Sequence, residues 1–166
     1  MKLTFKNDTF KILQIADTQE GRKVSPDTLA LINAALDREE PDLVVYSGDQ
    51  IWGRGFHGDV NQVRRVLKEL TAPVVERHLP FAICFGNHDR QVGLDNRAQF
   101  EIYKEIPGFI GEDTPGVDGV GNCVLEIADG DRPGYLLYLI DSHSSLKVGY
   151  DHVHQNQIDW YRGVRD

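Results

Sequence analysis

Three short polar signals, each closing an apolar run, carry the residue types that divalent cations need. They are Ile15-Ala16-Asp17, Tyr46-Ser47-Gly48-Asp49 and Phe85-Gly86-Asn87-His88-Asp89. A carboxylate, a carboxylate and an amide are hard oxygen donors, and an imidazole stands beside the third. Such a set suits metal ions that polarise phosphoryl oxygens. Taken singly, each signal could be an ordinary turn or helix cap. Gly48, however, permits close backbone approach next to Asp49, and Asn87-His88-Asp89 places three polar side chains in series where packing has no use for them. The three signals lie 32 and 38 residues apart, each interval fitting one strand-helix-strand unit. They can therefore converge in space.

The elements that must position them are legible as alternating patterns. Phe10 to Ala16 reads as a strand. Ser25-Pro26-Asp27 opens a helix, with Ser as N-cap, Pro at the first helical position and an acid in the first turn. Leu29, Ile32 and Leu36 recur at helical spacing until Pro41. Leu43 to Ser47 is a second strand. A second helical face follows through Val60, Val63, Leu67 and Leu70, and Pro73 is expected to interrupt it. Phe81 to Phe85 is a third strand. Asp95 caps a helix through Phe100, Tyr103 and Ile106 that ends at Pro107. Gly108 to Gly121 reads as loop. Cys123 to Ile127 and Tyr135 to Ile140 form a hairpin around Asp129-Gly130-Asp131, and Gln155 to Arg162 begins a last helix. Strands alternating with helices imply a parallel sheet flanked by helices, and such sheets bind ligands at the carboxyl ends of their strands.

Composition narrows the function. A chain of 166 residues with 40% apolar content has the size of one domain with a core. Its net charge of −8 argues against an extended nucleic-acid surface. An acidic chain can still act on phosphate esters if bound metal reverses the local charge. No run has membrane-spanning length and the N-terminus lacks an apolar targeting core, so a cytoplasmic location is expected. Cys84 and Cys123 fall in separate apolar runs and read as reduced core residues.

The three signals together resemble the calcineurin-like metallophosphoesterase superfamily, which is marked by an Asp motif, a Gly-Asp motif and a Gly-Asn-His-Asp/Glu motif on successive strands. The wording Lys11-Ile12-Leu13-Gln14-Ile15-Ala16-Asp17, Ser47-Gly48-Asp49-Gln50-Ile51-Trp52-Gly53 and Gln157-Ile158-Asp159-Trp160 is most similar to the branch related to purple acid phosphatases. The resemblance runs from Lys11 to the end of the chain. It implies an α/β fold, a β-sandwich flanked by helices in four αββα layers, here reduced to the first half. Residues 1–166 would then be a single domain whose C-terminal part is missing. The resemblance further implies two divalent or trivalent transition-metal ions (Mn, Fe or Zn) and a phosphate-ester substrate. Asp17 would bind the first metal, Asp49 would bridge the two and Asn87 would bind the second. His88 would face the substrate as the catalytic group, with Gln19 and Asp89 as weak ligands or supporting residues. Gln19 stands where the family often has histidine, and Trp52 where the purple-acid branch has tyrosine. Half a sandwich would leave an apolar sheet face uncovered, so a homodimer or a C-terminal fragment is the expected partner.

Alternatives attach to other residues. His152-Val153-His154, with His143 nearby, imitates a late family motif, but Asp151 replaces the glycine and the order is wrong; the segment reads as a surface loop. Gly53-Arg54-Gly55-Phe56-His57-Gly58 matches a dinucleotide fingerprint by letter, which would make the chain a nucleotide-cofactor binder. A fingerprint follows its strand directly, whereas four residues intervene here, so an active-site loop is the better reading. Arg54 and Arg90 read as surface residues, and Ile158 and Trp160 as packing for the last helix. A further alternative is an inactive remnant that works only with a partner.

Overall fold

The computed structural model describes residues 2–53, 55–130 and 132–165; the expectations for Arg54 and for Asp131 of the hairpin turn lie outside the described residues. Strands β2 (Ile12–Ile15), β3 (Leu43–Tyr46) and β4 (Phe81–Ile83) form one sheet with β3 at its centre and every pairing parallel. Each strand stops one to two residues short of the reach expected from its apolar run. For β2 and β3 the reason is local: Asp17, Gly48 and Asp49 take left-handed backbone angles (φ 55°, 122° and 54°), so the chain turns out of the sheet at these two polar signals.

The helices between these strands form for the reasons their sequences offer. In α1 (Pro26–Glu39) the Ser25 hydroxyl accepts the Asp27 N–H, and Glu40 closes the far end in a left-handed conformation. Asp59 caps α2 (Val60–Glu76) by accepting the N–H groups of Asn61 and Gln62. Pro73 does not interrupt α2. Val66, Leu70, Pro73 and Val74 are buried on both sides of the expected break, and the Arg77 guanidinium donates to the Pro73 carbonyl at 2.9 Å. Burial on this scale outweighs the roughly 3 kcal/mol that an internal proline costs. Replacing Asp59 by alanine should remove about 1 kcal/mol of stability; a urea melt would read it, and an unchanged midpoint would show that the cap contributes nothing. In α3 (Asn96–Lys104), Asp95 accepts the Ala98 N–H at 2.7 Å.

The remaining strands build a second sheet. β5 (Cys123–Asp129) and β6 (Arg132–Leu139) pair antiparallel as expected, and β1 (Leu3–Thr4) adds to β5 in parallel. Two residues carry too little pattern to be recognised as a strand in advance. The two sheets share a core. Along β3, Val44 and Tyr46 join the helix-facing cluster with Val63, Leu67 and Phe81, while Leu43 and Val45 join Leu3, Ala82, Cys123, Leu125, Ile127 and Leu139 between the sheets. Leu43, Val45 and Ala82 at the centre of the first sheet are thus covered by the second, while the edge strands keep part of the expected bare face. Apolar exposure remains at the edges, at Ile12 on β2 and at Tyr135 and Leu136 on β6. Both cysteines are free thiols beside this inter-sheet core, and burial pushes Cys84 up to about 11. Helix α4 (Gln155–Arg165) reaches the second sheet through Trp160 and Tyr161, whose rings meet Tyr138. Among the described residues no helix is long and apolar enough to cross a membrane.

Candidate active site

The loops leaving β2 and β3 are bonded to each other by their backbones. Past the end of β2, Asp17 N–H donates to Gly48 O at 3.1 Å and Gln19 N–H to Asp49 O at 2.9 Å. Glu20 N–H and the Thr18 hydroxyl both reach Gln50 O. The loop after β4 joins through side chains: Asp49 Oδ1 accepts the His88 N–H at 2.8 Å. Asp17, Asp49 and the Asn87–His88 turn are therefore neighbours at one edge of one sheet. Asp49 lies at the buried floor, Asp17 is exposed at the rim, and Asn87 and His88 are half-buried. Gly86 makes the approach possible, because a Cβ there would stand 2.1 Å from Asp49 Oδ1 and 2.5 Å from its nitrogen.

Asp89 is the knot beneath this edge. Its side chain is 1% exposed and accepts four backbone N–H groups: Asp49 and Gly86 on Oδ2, at 2.9 and 2.7 Å, and Gln50 and Ile51 on Oδ1, at 2.9 and 3.1 Å. Burial pushes this carboxyl up to about 7, with the N–H bonds pulling the other way and the charge of Asp49 adding to the rise. With both oxygens occupied from the protein side, Asp89 ties the second motif to the third.

His88 is oriented by Gln91, which the sequence did not flag, and by Trp52. Its Nδ1 lies 3.0 Å from Gln91 Oε1. An amide oxygen only accepts, so Nδ1 donates this bond and Nε2 is the ring atom left open to the site. Trp52 meets the imidazole edge-on with ring centroids 5.9 Å apart. Trp52 thus occupies the tyrosine position of the resemblance as a packing partner of His88. Gln91 carried a faint signal, being three residues after a histidine at the start of the 3-10 turn Asp89–Val92. Gln19, half-buried, joins through its backbone bond to Asp49.

The Gly53–Gly58 segment packs against this same turn. A Cβ on Gly53 would lie 2.2 Å from Gln91 O, and Gly58 N–H donates to Val92 O at 2.8 Å. The helix that follows is already capped by the Asp59 carboxylate. Gly53 and Gly58 serve loop contact, and the Asp59 carboxylate occupies the helix start where a pyrophosphate would sit.

The late histidines are not a uniform surface loop. His152 is exposed, but His143 and His154 stack with centroids 4.1 Å apart, and His154 lies between Asp118 and Asp151. Those two carboxylates raise the His154 pKa above its ordinary value. The Ser144 hydroxyl, one residue past His143, lies 3.4 Å from Asn87 O, so this loop borders the strand-end site.

Parallel strands that end in an acid, a second acid and an amide-histidine pair define a class of α/β protein built around a polar cluster at one sheet edge. Within it, the chain belongs to the calcineurin-like phosphoesterase family, whose model matches residues 10–164. The chain is 31% identical over 185 residues to Phosphatase DCR2 of Saccharomyces cerevisiae, covering 95% of this chain and 32% of that protein. It is 28% identical over 195 residues to the protein named Probable inactive purple acid phosphatase 14 of Arabidopsis thaliana, covering 96% and 48%. Over 100 residues it is 34% identical to Phosphodiesterase YaeI of Escherichia coli, covering 57% and 34%. The chain spans about a third to a half of the length of these relatives.

Proposed function

We propose that this chain carries the strand-end part of a metal-dependent phosphoesterase site, with Asp17, Asp49 and Asn87 as metal ligands and His88 as the group that meets the substrate. The observation that carries this reading is the hydrogen bonding that brings Asp17, Asp49 and His88 to one edge, backbone to backbone between the first two loops and from the His88 N–H to the Asp49 carboxylate. The donor set fits hard or borderline cations. Among the described residues neither Asp17 nor Asp49 has an ion-pair partner, so their charge is available to a cation. Only one oxygen of Asp49 is engaged there, by the His88 N–H. Bound at these residues, two cations would polarise a phosphoryl oxygen and lower the pKa of a water near it. Asp49 Oδ1 fixes the His88 backbone, and Gln91 sets its ring so that Nε2 can exchange a proton with a phosphate or leaving-group oxygen.

The reading treats residues 1–166 as a single domain with αββα layering, in which α4 lies outside the second sheet. The free thiols Cys84 and Cys123 favour a reducing compartment, and hence the cytoplasm. Manganese-dependent hydrolysis of p-nitrophenyl phosphate tests the activity, and calorimetry tests the site. Asp49→Asn should abolish manganese binding, because it removes a carboxylate charge from the floor of the cluster. Unchanged manganese affinity in that variant refutes the assignment.

A second reading, a protein of this family without turnover, is favoured by Gln19 and Trp52 at positions where the resemblance has ligands, and by the word inactive in the names of several relatives. Manganese binding with no hydrolysis of the aryl phosphate would select it.

A further inference from the structure

Between β6 and α4 lies a second polar cluster, outside the strand-end motifs. His143, Asp151 and His154 each offer one ligand atom, and these atoms lie within 4.8 Å of one another. Beneath them sits an amide network in which Gln157 and Asn122 are fully buried. Gln157 Nε2 donates to the Asp141 carbonyl at 2.6 Å and to Asn122 Oδ1 at 3.0 Å, while its Oε1 accepts the His154 N–H at 2.7 Å. A backbone carbonyl and a backbone N–H have fixed senses, so this amide can point only one way. Its Oε1 therefore also accepts from His143 Nε2, at 3.1 Å, which leaves the lone pair of His143 on Nδ1.

His154 is held from the opposite side. Its Nδ1 lies 2.8 Å from Asp118 Oδ2, and its Nε2 lies 3.3 Å from Asp151 Oδ1. A carboxylate behind an imidazole is the arrangement that orients metal-binding histidines and raises their basicity. His143 is also held at φ 67°, a left-handed angle of the kind that clusters at functional sites.

We propose that His143, Asp151 and His154 bind a divalent transition metal of the zinc type, as a donor set distinct from Asp17, Asp49 and Asn87. Two imidazoles and a carboxylate match the preference of borderline cations, where the strand-end oxygens match harder ones. The 3.3 Å between His154 Nε2 and Asp151 Oδ1 is the edge expected of a tetrahedron with metal–ligand bonds of about 2.0–2.1 Å. His143 and Asp151 also line an open cleft of 570 Å³ beside Arg90 and Arg97, which gives an ion a path from solvent.

Zinc calorimetry on the full chain carrying Asp49→Asn separates this site from the strand-end one. One zinc should bind. Adding His154→Asn should abolish that binding, Asp118→Asn should weaken it by about 10–100-fold, and His78→Asn, an exposed histidine outside the cluster, should leave it unchanged. Zinc affinity that survives His154→Asn, or a folded Asp49→Asn chain that takes no zinc, overturns the proposal. If Asp49→Asn does not fold, cobalt(II) added to the otherwise unmodified chain replaces it. The visible absorption of tetrahedral cobalt should disappear on His154→Asn alone, and its persistence would overturn the proposal equally.

Discussion

Replacing His88 by asparagine should lower manganese-supported turnover of p-nitrophenyl phosphate by about 10²–10⁴-fold, the range for loss of a positioned general acid. The bound-metal stoichiometry should not change. The ring is set by Gln91 on Nδ1 and by the edge of Trp52, and its backbone is bonded to Asp49. These contacts leave Nε2 as the proton-exchanging atom. Asparagine retains the backbone N–H to Asp49 Oδ1, so the floor of the site survives and only the imidazole is lost. Loss of metal together with turnover would make His88 a ligand. Full turnover in the variant would remove it from the reaction.

The largest stability effect should come from Asp89→Asn, which should cost about 3 kcal/mol in a urea or thermal melt at about pH 9, where the carboxyl, pushed up to about 7 by burial, is ionised. The carboxylate accepts four N–H groups on two oxygens. An amide has one accepting oxygen, and its NH2 group would face two backbone donors. Two buried N–H groups would then lose their acceptor, at about 1–3 kcal/mol each. Because those donors belong to Gly86 and to Asp49–Ile51, the same change should loosen the second motif against the third and weaken manganese binding. A melt within 0.5 kcal/mol of the parent would show that the knot is dispensable.

The contrast between Asp89 and Gln91 shows what a sequence reveals and what it hides. Asp89 stood inside a recognisable motif, yet nothing local said that its partners would be four backbone N–H groups, three of them some forty residues earlier. Gln91 had only its distance from His88 to recommend it. Pro73 shows the opposite error. Local stereochemistry predicts a break, and the buried face of α2 carries the helix through because the apolar gain exceeds the cost of one proline. His143 and His154 were separately visible but looked like loop residues. Their pairing depends on the orientation of Gln157, a residue read as part of the last helix.

The sequence by itself determined the alternation of strands and helices, the caps at Ser25 and Asp95, and the arrival of Asp17, Asp49 and Asn87 at strand ends. These follow from periodicity, capping chemistry and chain reach, all of which act within tens of residues. Tertiary structure alone decided that β1 would join β5, that Leu43 and Val45 would face a second sheet while Val44 and Tyr46 faced helices, and that a buried carboxylate would fasten one motif to the next. The reason is physical: a two-residue strand has no pattern of its own, a run buried on both faces has no alternation to read, and a backbone N–H carries no residue type. Such contacts are set only when distant segments compete to bury apolar surface and satisfy every buried donor.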